Sequence, residues 1–352
     1  MKASSQSIQW SHRQEFGQGL QQPCNAMPKF SFMDFCAGIG AGRLGLQLAG
    51  GRCVGHSEIL QHSLTAYNIL HSPTNECNFG DLTQIECLQL PNFDLMIAGF
   101  PCQTFSVVGK RQGFLDNRGQ IIYHLVDILK AKQIKYFILE NVKGLVNHDK
   151  GKTIHTILQT MREAGYSVAY KVLNSLDYGV PQMRERVYFV GIHKSICADG
   201  VFEFPTPCPV PPLQNFLCGT NNHILDTSNA TLLKYLGNKY NARKFDLPTI
   251  LQQDYLVLDT RQSDLRLYEG KVPTLRTGRH GILYVKDGKL HKLSGLESLL
   301  LQGFSKEMAS KLAQSMPEKK ILEQAGNAMT VTVITAIAKK LFEYLTMGGV
   351  YD

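Results

Sequence analysis

An α/β fold is what this sequence predicts: a mainly parallel sheet with helices on both faces, followed by a second, smaller and irregular domain. Three observations predict it. From Lys29 to His193, short β-branched or aromatic runs alternate with longer segments of helical period. Runs such as Asp94-Leu95-Met96-Ile97-Ala98-Gly99 are apolar throughout, as strands buried on both faces must be. Past His193 that texture stops at the proline-dense segment Phe204–Pro212, which reads as a linker or an edge.

The elements follow in order. Strands are predicted at Phe30–Phe35, Arg52–Glu58, Leu95–Gly99, Tyr136–Glu140, Ser167–Asn174 and Val187–Ile192. Helices are predicted at Arg43–Ala49, Gln61–Leu70, Gln120–Lys132 and Lys152–Glu163, the last stopped by Gly165 as a C-cap. From Leu213 to Leu290 short runs are separated by Gly, Asn and Asp without clear helical period, the mark of a small loop-rich unit. Helical pattern resumes at Ser294–Gln302 and at Met329–Leu345, and the latter is apolar enough to need a partner surface, expected to be the sheet of the first domain.

Bulk properties narrow the function classes. With 352 residues, 43% hydrophobic and 19% charged, the composition is that of an ordinary globular protein with room for two domains. The formal net charge of +8 favours a polyanionic partner, although a basic enzyme acting on a small substrate has the same balance. No apolar run approaches the roughly 20 residues of a membrane span, and the polar, Gln/Ser-rich residues 1–29 lack the apolar centre of a signal peptide. Nine cysteines without a C-x-x-C pair argue against a disulfide framework and against a zinc site, and no metal is expected.

The chemistry-bearing residues cluster where predicted strands end. Gly99-Phe100-Pro101-Cys102-Gln103-Thr104-Phe105-Ser106 places a thiol directly after a proline, at the carboxyl end of a buried strand, where ligands gather in such sheets. A thiol reacts as thiolate, so Cys102 needs a cationic neighbour or a proton acceptor. Phe137-Ile138-Leu139-Glu140-Asn141-Val142 sets a carboxylate at another strand end, and Gln182-Met183-Arg184-Glu185-Arg186 leads two guanidinium groups into the run Val187–Ile192. Read alone, Cys102 is a small buried hydrophobe and Glu140 a strand-end acid pairing with one of those arginines.

Asp34-Phe35-Cys36-Ala37-Gly38-Ile39-Gly40-Ala41-Gly42 ends the first strand and opens a helix, as nucleotide-binding turns do. Glu58 stands about 20 residues on, where a carboxylate accepts ribose hydroxyls, and Asp81 follows a third strand, placed to accept from an adenine amino group. The absence of a Gly-Lys-Ser/Thr ending disfavours a triphosphate loop. A plain strand-turn-helix with solvated acids would share the same residues.

Two basic segments complete the pattern. Gln103 to Gly119 holds Lys110, Arg111 and Arg118 among glycines, the composition of a lid closing over a phosphate backbone or of a solvated surface loop. Thr274-Leu275-Arg276-Thr277-Gly278-Arg279-His280-Gly281 can lay Arg276 and Arg279 into a groove, where arginine reads guanine and hydroxyls meet phosphate. Gln324-Ala325-Gly326-Asn327-Ala328-Met329-Thr330 precedes the terminal helix and reads, on its own, as a helix cap.

Pro101-Cys102, Glu140-Asn141-Val142, Gln182-x-Arg184-x-Arg186 and Gln324-x-Gly326-Asn327, in that order, resemble the motifs of the C5-cytosine DNA methyltransferases. The resemblance covers Phe30 to Ile192 and Lys292 to Thr332. It implies a class I S-adenosylmethionine-dependent methyltransferase fold, Rossmann-like and mostly parallel, with a smaller irregular target-recognition domain. Residues 1–29 would be a polar extension, 30–193 with 319–352 the catalytic and cofactor-binding domain, and 194–318 the target-recognition domain, its reading region running from about Val201 to Lys289. S-adenosyl-L-methionine is the implied cofactor, contacted by Cys36, Gly38, Ile39, Gly40, Glu58, Ile59, Asp81, Leu82, Pro101, Asn327 and Met329. The family usually has Phe where Cys36 stands, which loosens packing there.

The resemblance implies the roles too. A cytosine is turned out of the duplex, Cys102 adds to C6, Glu140 holds N3 and the exocyclic amine, Arg186 the base oxygen and Arg184 the nearby backbone. Gln103, Ser106, Lys110, Arg111, Arg118, Arg276, Thr277 and Arg279 would contact double-stranded DNA at a short GC-rich site, of which GCNGC is one form. Without room for large regulatory domains the chain fits a bacterial restriction-modification or orphan methyltransferase, with a separately acting restriction endonuclease or none; one active site turning out one base implies a monomer, and the cysteine usage a reducing cytoplasm. Two other readings share the residues: a tRNA cytosine-C5 methyltransferase of the same fold, and a DNA-binding regulator without catalysis.

Overall fold

Seven strands form the large sheet of the computed structural model, which describes residues 28–73, 75–101, 121–197, 202–220 and 223–347. They are β1 (Phe30–Phe35), β2 (Gly51–Ser57), β3 (Cys77–Asn78), β4 (Leu95–Gly99), β5 (Tyr136–Val142), β6 (Tyr166–Asn174) and, after the two-residue β7 (Gln182–Met183), β8 (Glu185–His193). The spatial order is β3-β2-β1-β4-β5-β8-β6. The first five pair in parallel, whereas β8 runs antiparallel to both β5 and β6. The chain therefore reverses its winding between β1 and β4, the topological switch point at which open α/β sheets hold ligands beyond their carboxyl ends.

The apolar strands bury both faces, and their side chains divide by the two-residue period. Phe32, Leu95, Ile97, Tyr136, Ile138, Tyr188 and Val190 line one face. Against it pack α1 (Ala41–Leu48), α2 (Gln61–His71) and α10 (Val331–Met347), through Leu46, Ala66, Ile334, Ile337 and Leu341 among others. Met33, Phe35, Met96, Phe137, Leu139 and Phe189 line the opposite face, covered by α3 (Ile121–Lys132) and α4 (Lys152–Glu163). Burying each such Leu, Ile or Phe stabilises the fold by about 1.5–3 kcal/mol before entropy is counted. Gly165, at φ +96°, donates to the Arg162 carbonyl and stops α4 as the sequence predicts.

The smaller region is more regular than its composition suggests. β9 (Ile224–Leu225), α5 (Ala230–Leu236), α6 (Leu247–Leu251), β10 (Val257–Asp259), β11 (Arg266–Tyr268), β12 (Val272–Pro273), β13 (Ile282–Lys286) and β14 (Lys289–Lys292) follow one another. Five of the strands make an antiparallel sheet ordered β11-β10-β13-β14-β9, while β12 pairs with β7. Runs of two to five residues are too short to show a period. One face carries Leu258, Leu283, Val285 and Leu290 against α5 and α6. The other sends Val257, Ile282 and Tyr284 into the same apolar cluster as the large sheet.

Three helices join the two regions: α7 (Gly295–Leu300), α8 (Lys306–Ser315) and α9 (Glu318–Asn327). A capping box between Ser294 and Glu297 starts α7. Leu299, Phe304, Leu312 and Ile321 continue the cluster that contains α10. By length and mean hydropathy (1.2), Glu318–Thr346 matches a membrane span, which no run in the sequence was expected to do. It is two helices, broken between Asn327 and Val331, and their apolar side chains are core of this fold.

Candidate active site at the carboxyl edge of the sheet

The turn after β1 is built for close approach. Cys36, Gly38 and Gly40 all adopt positive φ (52°, 56° and 76°), which costs a non-glycine residue energy. A Cβ on Gly40 would meet the His71 ring at 2.3 Å, so this glycine lets α2 pack beneath the turn. Among the described residues, a Cβ on Gly38 would meet nothing within 4 Å, so they leave room above its backbone. From below, the His71 Nε2 lies 3.0 Å from the Ile39 carbonyl, and burial pushes the His71 pKa down to about 3. Neutral His71 can therefore donate to that carbonyl.

Glu58 stands at the end of β2 and is organised by backbone. Its Oε2 accepts from Gly38 N–H at 2.8 Å, and its Oε1 accepts from Ile59 and Leu60 N–H at 2.8 and 2.7 Å. A carboxylate has about four acceptor positions, so one remains. Asn78, which the motif reading missed, ties this strand end to the next: it accepts from Glu58 and Gly80 N–H and donates to the Glu58 carbonyl. An Asn two residues before a positive-φ glycine, Gly80, is the signal that could have found it. Asp81 caps the following 3-10 turn by accepting from Thr83 N–H and Oγ1–H through Oδ1 alone. Leu82 is buried, whereas Ile59 is 65% exposed and so presents an uncovered apolar wall beside Glu58.

Three acids converge on this turn. Burial first, and then Glu58, Asp34 and Asp81, raise the Cys36 thiol to about 12, which makes that sulfur unreactive. Asp34 is fully buried; its Oδ2 accepts from Arg43 N–H while its Oδ1 has no partner among the described residues. Burial pushes its carboxyl up to about 8.

The ends of β4 and β5 lie side by side, with Gly99 paired to Glu140. Asn141 Nδ2 donates to the Phe100 carbonyl at 2.9 Å and so pins the stem from which Pro101 leads onward. Cys102, Gln103, Ser106, Lys110, Arg111 and Arg118 lie outside the described residues. Glu140 is buried, and the Arg186 Nε approaches its Oε1 at 3.1 Å. Desolvation raises the Glu140 carboxyl above its ordinary range, and Arg186 and then Arg184 pull it back. Met329 reaches the same corner: Cβ atoms placed on Gly42 and Gly99 would lie 2.6 and 3.7 Å from its side chain.

The two arginines of the Gln-x-Arg-x-Arg segment part company. Because β8 is antiparallel to β5, its first residues arrive beside the end of β5, with Arg186 opposite Val142. Arg186 faces Glu140. Arg184 is 2% exposed and turns the other way, its guanidinium donating to the carbonyls of Leu275, Gly326 and Ala328 at 2.7–3.2 Å. Gln182, also missed as a site residue though it lies in the motif, donates to the Leu301 carbonyl and accepts from Leu275 N–H.

Beyond this seam, Arg276, Thr277 and Arg279 sit on an exposed turn before β13. Neither arginine side chain has a hydrogen bond or ion pair among the described residues, while Thr277 Oγ1 donates to Asn327 Oδ1 at 2.6 Å. The site thus brings together Glu58, Asp81, Pro101, Glu140, Arg186, Asn327 and Met329 along one edge, with Arg276 and Arg279 on the facing turn.

The family model described as C-5 cytosine-specific DNA methylase matches residues 30–343. Among characterised proteins, the type II methyltransferase M.HpaII of Haemophilus parainfluenzae is 33% identical over 363 residues, covering 93% of each chain. The type II methyltransferase M.HaeII of Haemophilus aegyptius is 34% identical over 327 residues, covering 92% of this chain and 96% of its own. Among solved structures, the Entamoeba histolytica methyltransferase EhMeth superposes with a TM-score of 0.66 at 17% identity, over 92% of this chain and 99% of its own. A Spodoptera frugiperda DNMT2 mutant superposes at 0.64 and 20%, over 89% and 99%.

Proposed function

This chain belongs to the C-5 cytosine-specific DNA methylase family, and from that premise we propose that it methylates C5 of a cytosine turned out of one short, specific duplex DNA site. The observation that carries the reading is the pair of buried Glu140 and half-buried Arg186 at the carboxyl end of the sheet, beside Phe100, whose carbonyl Asn141 holds.

The residues of the first three strand ends fit S-adenosylmethionine as methyl donor. Among the described residues, the room above Gly38, one free acceptor position on Glu58 and the neighbouring acids Glu58 and Asp81 suit a ligand carrying hydroxyls and positive charge. Glu58 would accept a ribose hydroxyl and Asp81 the adenine amine through Oδ2. Ile59 and Leu82 would flank the ring, with Cys36, Gly38, Ile39 and Gly40 below and Pro101, Asn327 and Met329 closing the side. When bound, the donor supplies a methyl group activated by its sulfonium.

On the base side, the Cys102 thiolate adds to C6, and Glu140 hands a proton to N3 so that negative charge does not accumulate on the ring. Desolvation raises its carboxyl above the ordinary range, a shift toward the form that carries the proton. Arg186 keeps Glu140 in place and offers its remaining N–H groups to the base oxygen. After transfer, a water takes the C5 proton, the Cys102 sulfur leaves as thiolate, and N3 returns its proton to Glu140, which restores both the aromatic base and the acid. Arg184, engaged with three carbonyls, acts by positioning and not by contact. Arg276, Thr277 and Arg279 meet the duplex.

The test is methylation itself. Bisulfite sequencing of plasmid DNA from an expressing host should reveal 5-methylcytosine at one recurring short site. Unmethylated DNA after incubation with folded protein and donor would overturn the proposal. Transfer to tRNA but not to duplex DNA would move the same chemistry to a different substrate.

A further inference from the structure

The recognition turn and the cofactor-side turn meet backbone to backbone. A Cβ on Gly326 would lie 2.6 Å from Thr277 N and 2.7 Å from the Arg276 carbonyl carbon, so only glycine allows this approach. Arg184 clasps both sides, through Leu275 on one and Gly326 and Ala328 on the other. Across the seam, the single hydroxyl hydrogen of Thr277 faces Asn327 Oδ1 at 2.6 Å and the Glu323 carbonyl at 3.1 Å, the shorter contact taking most of it. Asn327 is the last residue of α9 and is exposed, so no burial fixes its amide. Two residues on, Met329 is buried in the corner with Gly42 and Gly99.

We infer that Thr277 is a positioning residue for Asn327, coupling the target-reading turn to the cofactor pocket. The inference rests on the proposed function, in which Asn327 lines the donor site. An exposed amide is free to rotate about χ2 unless a partner holds it, and here the partner belongs to the segment that meets DNA. Seating a target on Arg276 and Arg279 moves or stiffens the turn that carries Thr277. That displacement is felt at Asn327, two residues from Met329. Coupling of this kind is reciprocal: donor binding tightens DNA binding by the factor by which DNA tightens donor binding.

The experiment measures binding of S-adenosylhomocysteine, the demethylated donor, by calorimetry without DNA and again with a duplex carrying the target. Wild type, Thr277→Val, Thr277→Ser, Asn327→Ala and the Val/Ala double variant are compared, with melting temperatures as a check on folding. Valine keeps the volume and loses the hydroxyl; serine keeps the hydroxyl. Thr277→Val should weaken binding about fivefold, the value of one net hydrogen bond, and Thr277→Ser should restore it to within about twofold of wild type. The double variant should bind no worse than Asn327→Ala alone, because one residue acts through the other. Additive losses, or an unchanged Thr277→Val affinity while wild type binds, overturn the coupling and leave the methyltransferase reading intact. No binding by folded wild type overturns that reading and the coupling with it.

Discussion

The carboxyl edge of the large sheet and the turn of the small sheet that faces it hold their arginines in opposite ways. Arg184 and Arg186 are engaged by protein groups, one by three carbonyls and the other by the Glu140 carboxylate. The side chains of Arg276 and Arg279 are exposed and, among the described residues, have no hydrogen bond or ion pair. A guanidinium removed from water needs partners to remain charged, so the edge must organise its polar groups internally. A guanidinium left in water keeps its donors for a ligand. On the proposed function the first region carries the chemistry and the second the recognition, and variants should separate the two.

Glu140→Gln should have the largest effect, lowering kcat by about 10²–10⁴ as the loss of a general acid does, with the melting temperature near that of wild type. A kcat within threefold would mean that the Glu140–Arg186 pair is only the structural ion pair its residue types also allow. Arg184→Met should instead act on the fold. Three buried carbonyls lose their donor, an expected loss of about 3 kcal/mol that is softened because a desolvated charge goes with it. Chemical denaturation measures it, and a stability loss below about 0.5 kcal/mol would refute the distinction between the two arginines.

Arg276→Ala and Arg279→Ala should leave stability within about 0.5 kcal/mol and act on DNA. If the side chain reads a base, discrimination at one position relaxes by about 1–3 kcal/mol; if it meets a phosphate, the salt slope falls by about one. Binding unaffected in both respects would remove this turn from the interface.

A separate effect is one of pH. The Asp34 carboxyl, raised from 3.8 to about 8 by burial, contributes stability that is complete below its ordinary pKa and lost as pH climbs through about 8. Wild type should therefore lose up to about 1.4 kcal/mol per unit across that window. Asp34→Asn should flatten the dependence, gaining on wild type as pH rises from 5 to 8. Parallel curves for the two proteins would place the proton elsewhere.

Glu140 and Arg186 show how far local pattern reaches. Each was legible as a residue at a strand end, because a strand buried on both faces is an unbroken apolar run and its end is visible. That they touch was not legible, since it depends on β8 running antiparallel. The helices α8 and α9 and the five-stranded sheet went unread for a different reason. Their runs are short or weakly periodic, and their burial is supplied by one another.

What the sequence determined by itself was the alternation of elements in the first half, the residue types at the carboxyl ends of the strands, and the ordered motifs that mark the family. These depend on the period of burial and on turn chemistry, which act over a few neighbouring residues. Only the tertiary structure decided that Arg186 faces Glu140 while Arg184 closes a seam, that Gly326 admits the Arg276–Thr277 backbone, and that Asn327 takes its orientation from Thr277. The Arg184–Gly326 bond spans 142 positions of sequence, and a contact of that range leaves no local period to read.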